Sequence, residues 1–253
     1  MKEDILISSK RLKRERTIRR YLKILAIPFL SALFLFVLAN LSWFRIQDIE
    51  INGGEENKKA VRDLIKENLS KRIFLFFPAD NIFLVNKDNL IREIKNKFPE
   101  IENATAITDF FSRKIKVDVN NRQIFAFTCR EEKCFYLDEK GVLFRQSPIV
   151  SGGILLEVVA SSTEAFRDFH KISFLARKIE ENLKEERLSK IILKDENSFE
   201  LVFASGFKII SGLETTPEKI LRNLNIVLQN IKDRKNLEYI DLRLGNKAYY
   251  KFR

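Results

Sequence analysis

The chain offers few residues from which to build a reactive centre. Among 253 residues it holds one histidine, His170, and two cysteines, Cys129 and Cys134. A four-coordinate structural zinc would have to draw its ligands from those three side chains plus carboxylates, so none is expected. His170 lies beside Phe169 and Lys171 in a helical pattern with no nucleophile signature near it, and reads as a structural or exposed residue rather than a general base. Acidic pairs such as Glu55 and Glu56, Glu131 and Glu132, and Glu185 and Glu186 sit among lysines and read as solvated charge. No pattern singles out two glycosidase carboxylates among 35 acids. Phosphate-loop, GxSxG, HExxH and GxGxxG motifs are absent. No catalytic, cofactor-binding or metal-ligating residue is therefore assigned, no cofactor is expected, and a non-enzymatic protein is the expectation.

The cysteines carry a different chemistry. Four residues separate Cys129 from Cys134, between two strand-like runs, and a hairpin at that spacing would bring the two Cα atoms within disulfide range. A structural disulfide is the expectation in an oxidising compartment, against two free thiols. The C-terminus alternates aromatic and charged residues. Ile240, Leu242 and Leu244 share one face, with Tyr239, Asp241 and Arg243 on the other, while Ala248, Tyr250 and Phe252 alternate with Lys247, Tyr249 and Lys251. Such a hairpin is either the last layer of a core, with lysines guarding its edge, or a terminal strand free to accept a partner strand; alternation leaves both open.

The compartment is read from the N-terminus. Residues 24–44 form a run of 21 without a charge, 17 of them apolar. At about 1.5 Å per residue a helix of that length is about 32 Å long, close to the roughly 30 Å hydrocarbon core of a bilayer. Residues 1–23 hold nine basic residues against three acids, more than half of the chain's net charge of +11. Basic flanks stay cytoplasmic and Trp43 is placed as an interfacial anchor, so the remainder is expected outside the membrane, with anionic lipid rather than nucleic acid as the partner of the basic tail. A cleaved signal peptide fits less well, since the run is long and ends without a small-x-small site.

The rest divides into two patterns. Residues 45–121 read as β-α-α-β-β. A strand over 44–51 ends at Asn52-Gly53-Gly54, helices carry Val61, Leu64, Ile65 and Leu69 and then Leu90, Ile91, Ile94 and Phe98, and strands follow at 101–107 and around Ile115, Val117 and Val119. This is a small α+β domain, two helices on a three-stranded sheet. Residues 122–253 read as a mixed β domain. Strands are expected at 124–129, 134–137 and 142–144, the last pair joined by a turn at 138–141, and another at 154–159 after a flexible joint at 151–153. A helix over 164–187, strands at 191–193, 199–204 and 207–210, and a helix opened by Thr216 as N-cap and Pro217 at N1 come next. Strands at 237–244 and 247–252 close the chain around Gly245-Asn246.

This layout and several strings resemble the bacterial cell-division family FtsQ/DivIB, which has a basic cytoplasmic tail (1–23), one transmembrane helix (24–44), a POTRA domain (45–121) and a β domain (122–253). Phe44 to Gly53 resembles the first POTRA strand. Ile82 to Val85 with Asn89 and Leu90 resembles the entry to the second helix, and Phe98-Pro99, Ala104 and Ile115 to Val117 resemble the strands after it. Phe135 to Phe144 is similar to the opening of the β domain and Tyr239 to Arg243 to its final motif. The chain departs from the family's Glu-Arg-x-Pro junction, reading Asn121-Arg122-Gln123-Ile124 instead, and the paired cysteines are not a general family feature.

The resemblance implies a scaffold at the division septum of the inner membrane. It would bind FtsB-like and FtsL-like proteins near its C-terminus, with Tyr239, Arg243, Lys247, Tyr249, Tyr250 and Phe252 as the partner-binding set, and other divisome membrane proteins through the POTRA domain. The competing readings are a membrane-anchored envelope enzyme such as a cell-wall hydrolase, and a POTRA-bearing translocation component. An enzyme needs a converging polar pocket; a scaffold needs an open sheet edge.

Overall fold

The computed structural model describes residues 24–38, 40–73, 77–131, 133–148, 155–162, 164–183, 186–195, 198–231, 236–244 and 247–253. The basic tail over 1–23, the joint at 151–153 and the turn at Gly245-Asn246 lie outside the described residues. The chain divides into two compact units, Met1–Asn120 and Asn121–Arg253.

The first unit opens on helix α1, residues 24–38, whose apolar side chains are exposed nearly all along it. No helix among the described residues is long and apolar enough to cross a membrane. A 3₁₀ turn at Ser42–Phe44 follows, and the strand expected over 44–51 begins only at Asp48, as β1 (Asp48–Asn52). The reason lies in pairing: Ile46 N–H donates to the Asp80 carbonyl and Gln47 N–H to the Arg113 carbonyl, both at 2.8 Å, so these residues bond loops rather than a ladder. β1 runs parallel to β5 (Lys114–Asn121), with β4 (Ile101–Asp109) on β5's other side. β5 buries Ile115, Val117 and Val119 in strict alternation, the period-2 pattern of a sheet covered on one face.

Helices α2 (Lys58–Ser70) and α3 (Lys87–Lys97) supply the cover through Val61, Leu64, Ile65, Leu90 and Ile94. α3 is well bounded. The Asn86 side chain accepts from Asn89 N–H at 2.9 Å, Asp88 lies in the first turn, and Lys95 and Lys97 lie in the last, each charge matched to the helix dipole. A two-stranded ribbon, β2 (Arg72–Ile73) with β3 (Phe77–Pro78), joins the helices and was not expected from pattern. Gly53 turns β1 toward α2 at φ +77°, and a Cβ there would come 2.2 Å from the Val119 carbonyl oxygen.

In the second unit the described residues form a nine-stranded sheet. Its strands are β6 (Ala126–Arg130), β7 (Lys133–Leu137), β8 (Leu143–Ser147), β9 (Glu157–Ala160), β10 (Leu188–Asp195), β11 (Ser198–Phe203), β12 (Lys208–Gly212), β13 (Leu237–Asp241) and β14 (Tyr249–Phe252), ordered β14-β13-β12-β11-β10-β9-β6-β7-β8. Its two helices, α4 (Phe169–Asn182) and α5 (Pro217–Asn230), are both crossovers between parallel strands, α4 from β9 to β10 and α5 from β12 to β13. β10 and β12 are both antiparallel to β11, so the two crossovers step the same way along strands of one orientation. Crossovers of one hand then lie on one face. α4 and α5 do contact each other, over a core that includes Phe169, Ile172, Ile191, Phe199, Phe203 and Leu224.

Several expected boundaries change for local reasons. The helix expected over 164–187 is a 3₁₀ turn at Glu164–Phe166 followed by α4, because Phe166 and Phe169 both pack inward against Gly141, whose φ is +81°. Thr216 is the N-cap of α5, yet its hydroxyl makes no capping bond; its backbone carbonyl accepts from Lys219 and Ile220, and Pro217 supplies the N1 geometry. The turn at 138–141 is tied by Asp138, a buried carboxylate that accepts from the N–H groups of Lys140 and Val142 at 2.9 Å and pairs with Arg122.

Candidate protein-interaction edge

Among the described residues, strands β14 and β8 end the large sheet, so each is an edge whose outer backbone groups face no further strand there. Their side chains differ. β8 presents Arg145 and Gln146 to solvent, with the Arg145 guanidinium 5.6 Å from the centre of the Tyr136 ring, a charged edge of the kind that discourages strand addition. β14 reads Tyr249-Tyr250-Lys251-Phe252 and is exposed along its whole length.

The register with β13 decides which way these side chains point. Tyr250 lies opposite Ile240, and Phe252 opposite Leu237 across a bulge; both partners are buried. Residues directly opposite in an antiparallel pair share a face. Tyr250 and Phe252 therefore share the face that carries the core, where they make an edge-on ring contact at 5.6 Å, yet 51% and 42% of their surface stays open. Tyr249 lies opposite Asp241 and Lys251 opposite Tyr239, on the other face. Leu244, placed by alternation on one face with Ile240 and Leu242, is 61% exposed while those two are buried.

Arg243, expected among the partner-binding residues, is engaged within the chain. Its backbone N–H and Nε donate to Asp241 Oδ1 at 3.0 Å, and Nη2 donates to Oδ2 at 2.6 Å. This turn ends β13 at Asp241, three residues short of the expected 244. The Arg243 hydrogen bonds hold the Asp241 carboxyl below its ordinary range, against the opposing effect of burial. Lys251 bonds Glu238 at 2.7 Å, and that contact raises its ammonium pKa. At the very end, Arg253 N–H donates to the Asn236 carbonyl at 2.8 Å and its guanidinium donates to the Ser205 carbonyl, clamping β14 onto the sheet. Tyr239 is half-buried and Lys247 exposed.

The other singled-out residues belong to other elements. Cys129 and Cys134 are directly opposite in the β6–β7 hairpin, with Cα atoms 4.0 Å apart, and are joined by a disulfide. His170 is exposed on α4. Trp43, in the first unit, is 69% exposed, with the Arg113 guanidinium 5.7 Å from its ring centre. Among the described residues no group of three or more His, Cys, Asp or Glu is placed to hold a metal. A cleft of about 410 Å³ in the first unit is lined by Asp48, Arg62, Lys66 and Asp80 with Ile46 and Leu69. A group that pattern reading missed, Phe83 with the adjacent pair Phe110 and Phe111, is also in the first unit; exposed rings from two distant segments leave no periodic signal.

Residues 128–243 match the family model of the cell division protein FtsQ/DivIB, C-terminal. No curated protein matches the chain. Among solved structures, the chain is similar to the major extracytoplasmic domain of the trans isomer of the bacterial cell division protein DivIB from Geobacillus stearothermophilus, at 13% identity and a TM-score of 0.31, covering 45% of this chain and 99% of that one. The match to the family model lies within the second unit, and the matched segment stops six residues before β14 begins.

Proposed function

We propose that this chain, a cell-division protein of the FtsQ/DivIB family, is a non-enzymatic, single-pass membrane scaffold of the divisome that captures FtsB-like and FtsL-like partners by strand addition along β14. The observation that carries this reading is the open aromatic edge, where Tyr249, Tyr250 and Phe252 are exposed on a strand that, among the described residues, is paired on one side only. A captured strand would take its affinity from backbone hydrogen bonds and its specificity from these rings. Aromatic side chains are the residues that most often dominate such interfaces.

Residues 24–44 are the proposed bilayer anchor, the tail before them cytoplasmic and both units outside. Support comes from α1, which is apolar on all sides and buries no stripe of its own, as a helix solvated by lipid would be. Residues 45–121 are the proposed POTRA domain, meeting other divisome membrane proteins. Its support is two helices covering one face of the β1-β5-β4 sheet.

The test is binding of the full chain in nanodiscs to the extracytoplasmic segments of FtsB-like and FtsL-like proteins from the same cell, comparing wild type with Tyr249→Ala/Tyr250→Ala and with a chain lacking residues 247–253. Affinity should fall at least tenfold in the double variant and vanish in the deletion. Full affinity in both would move the contact away from β14.

A further inference from the structure

Four phenylalanine rings from three separate segments meet at one end of the first unit. Phe44 is 5.6 Å from Phe83 and 6.1 Å from Phe110, Phe83 is 5.5 Å from Phe110, and Phe110 is 5.7 Å from Phe111. They are not a core. Phe83 is 70% exposed, Phe111 is 96% exposed, and Leu84 and Trp43 are exposed beside them. The backbone holds the group in place. Ile82 N–H donates to the Phe44 carbonyl at 2.8 Å, tying the 82–84 turn to the segment that leaves α1. The β4–β5 hairpin tip is set by Asp109, whose carboxylate accepts from the N–H groups of Phe111 at 3.1 Å and Ser112 at 3.3 Å, while Arg113 takes φ +52°. That turn is what leaves Phe111 projecting into solvent.

We propose that this aromatic platform docks into the interfacial layer of the lipid bilayer, so that the first unit rests on the membrane through its β4–β5 hairpin tip. The inference rests on the reading of residues 24–44 as a bilayer anchor. Continuity selects lipid as the occupant. Leu35 and Leu38 of α1 line one cleft of about 220 Å³ together with Phe44, Phe83 and Leu84, so the end of the apolar helix and the platform are parts of one apolar surface. A bilayer has about 5–8 Å of headgroup layer on each side of its hydrocarbon core. If α1 lies in hydrocarbon, rings that touch its last turns lie in that layer, where aromatic side chains concentrate. Leaving contiguous exposed rings in water would be unfavourable. Arg113, its guanidinium 5.7 Å from the Trp43 ring centre, offers donors to lipid phosphates, and Arg45, next to Phe44 in the chain, adds a second guanidinium whose Nε lies 4.0 Å from Asp80 Oδ1.

Trp43 is the chain's only tryptophan, which makes the test spectroscopic. The full chain would be reconstituted in vesicles containing lipids brominated near the headgroup end of their acyl chains. Wild type reports from Trp43, and Trp43→Phe/Phe111→Trp and Trp43→Phe/Phe83→Trp report from the platform. Docking predicts quenching at all three positions, with the two platform positions quenched to an extent comparable to Trp43. Quenching at Trp43 alone overturns the platform while leaving the anchor standing. No quenching at any position overturns both. Phe111 and Phe83 are largely exposed, so neither substitution disturbs a packed core.

Discussion

Tyr250 lies directly across from Ile240 in the β14–β13 ladder, yet Ile240 is wholly buried and half of Tyr250 remains open. One strand separates a core residue from an edge residue on the same face of the same sheet. The two positions should therefore respond differently to truncation. Ile240→Ala should cost about 2–5 kcal/mol of stability through lost burial and a cavity. Tyr250→Ala should cost about 1 kcal/mol or less while weakening partner binding. Denaturant unfolding alongside a binding titration separates the two; equal stability losses would mean that Tyr250 belongs to the core.

The Cys129–Cys134 disulfide closes a short loop within one hairpin. Constraining so few residues removes little unfolded-chain entropy, so Cys129→Ser/Cys134→Ser should lose about 2 kcal/mol. The urea midpoint with and without reductant measures this. Reductant should shift wild type onto the double variant and leave the variant unmoved.

Asp241 has its carboxyl pKa lowered, first by the hydrogen bonds from Arg243. A carboxyl depressed in the folded state stabilises the fold above its unfolded pKa of about 3.9, and that contribution is lost as pH falls from there through the folded value. Melting temperatures between pH 6 and pH 3 should therefore drop more for wild type than for Asp241→Asn. Parallel curves would show that the Arg243 contact contributes nothing to stability.

Gly53 combines φ +77° with a site where a Cβ would lie 2.2 Å from the Val119 carbonyl oxygen. Gly53→Ala must move backbone, and should cost about 1–3 kcal/mol. Hydrogen exchange followed separately in the two units should place the loss in β1, β5 and α2 and leave strands β6 to β14 unchanged.

Much of this architecture was legible because it repeats at short range. The α2 and α3 stripes, the alternation of Ile115, Val117 and Val119, the Asp138 to Gly141 turn and the Pro217 helix start each need only their own few residues. Boundaries set by long-range bonds were not legible. The segment 44–47 reads as strand, but its N–H groups donate to the carbonyls of Leu41, Ser42, Asp80 and Arg113; 242–244 reads as strand, but Arg243 folds back onto Asp241.

The sequence by itself determined the apolar N-terminal run, the two patterns that follow it, the hairpin spacing of the cysteines and an aromatic C-terminal strand, since composition and periodicity are local properties. Only the tertiary structure decided that β14 is an edge, because strand order depends on which crossovers pair β12 with β13 and β9 with β10. It also decided that Phe44, Phe83, Phe110 and Phe111 meet. Residues nearly seventy positions apart become neighbours only when the Phe44 carbonyl bonds the 82–84 turn and the β4–β5 hairpin folds over both.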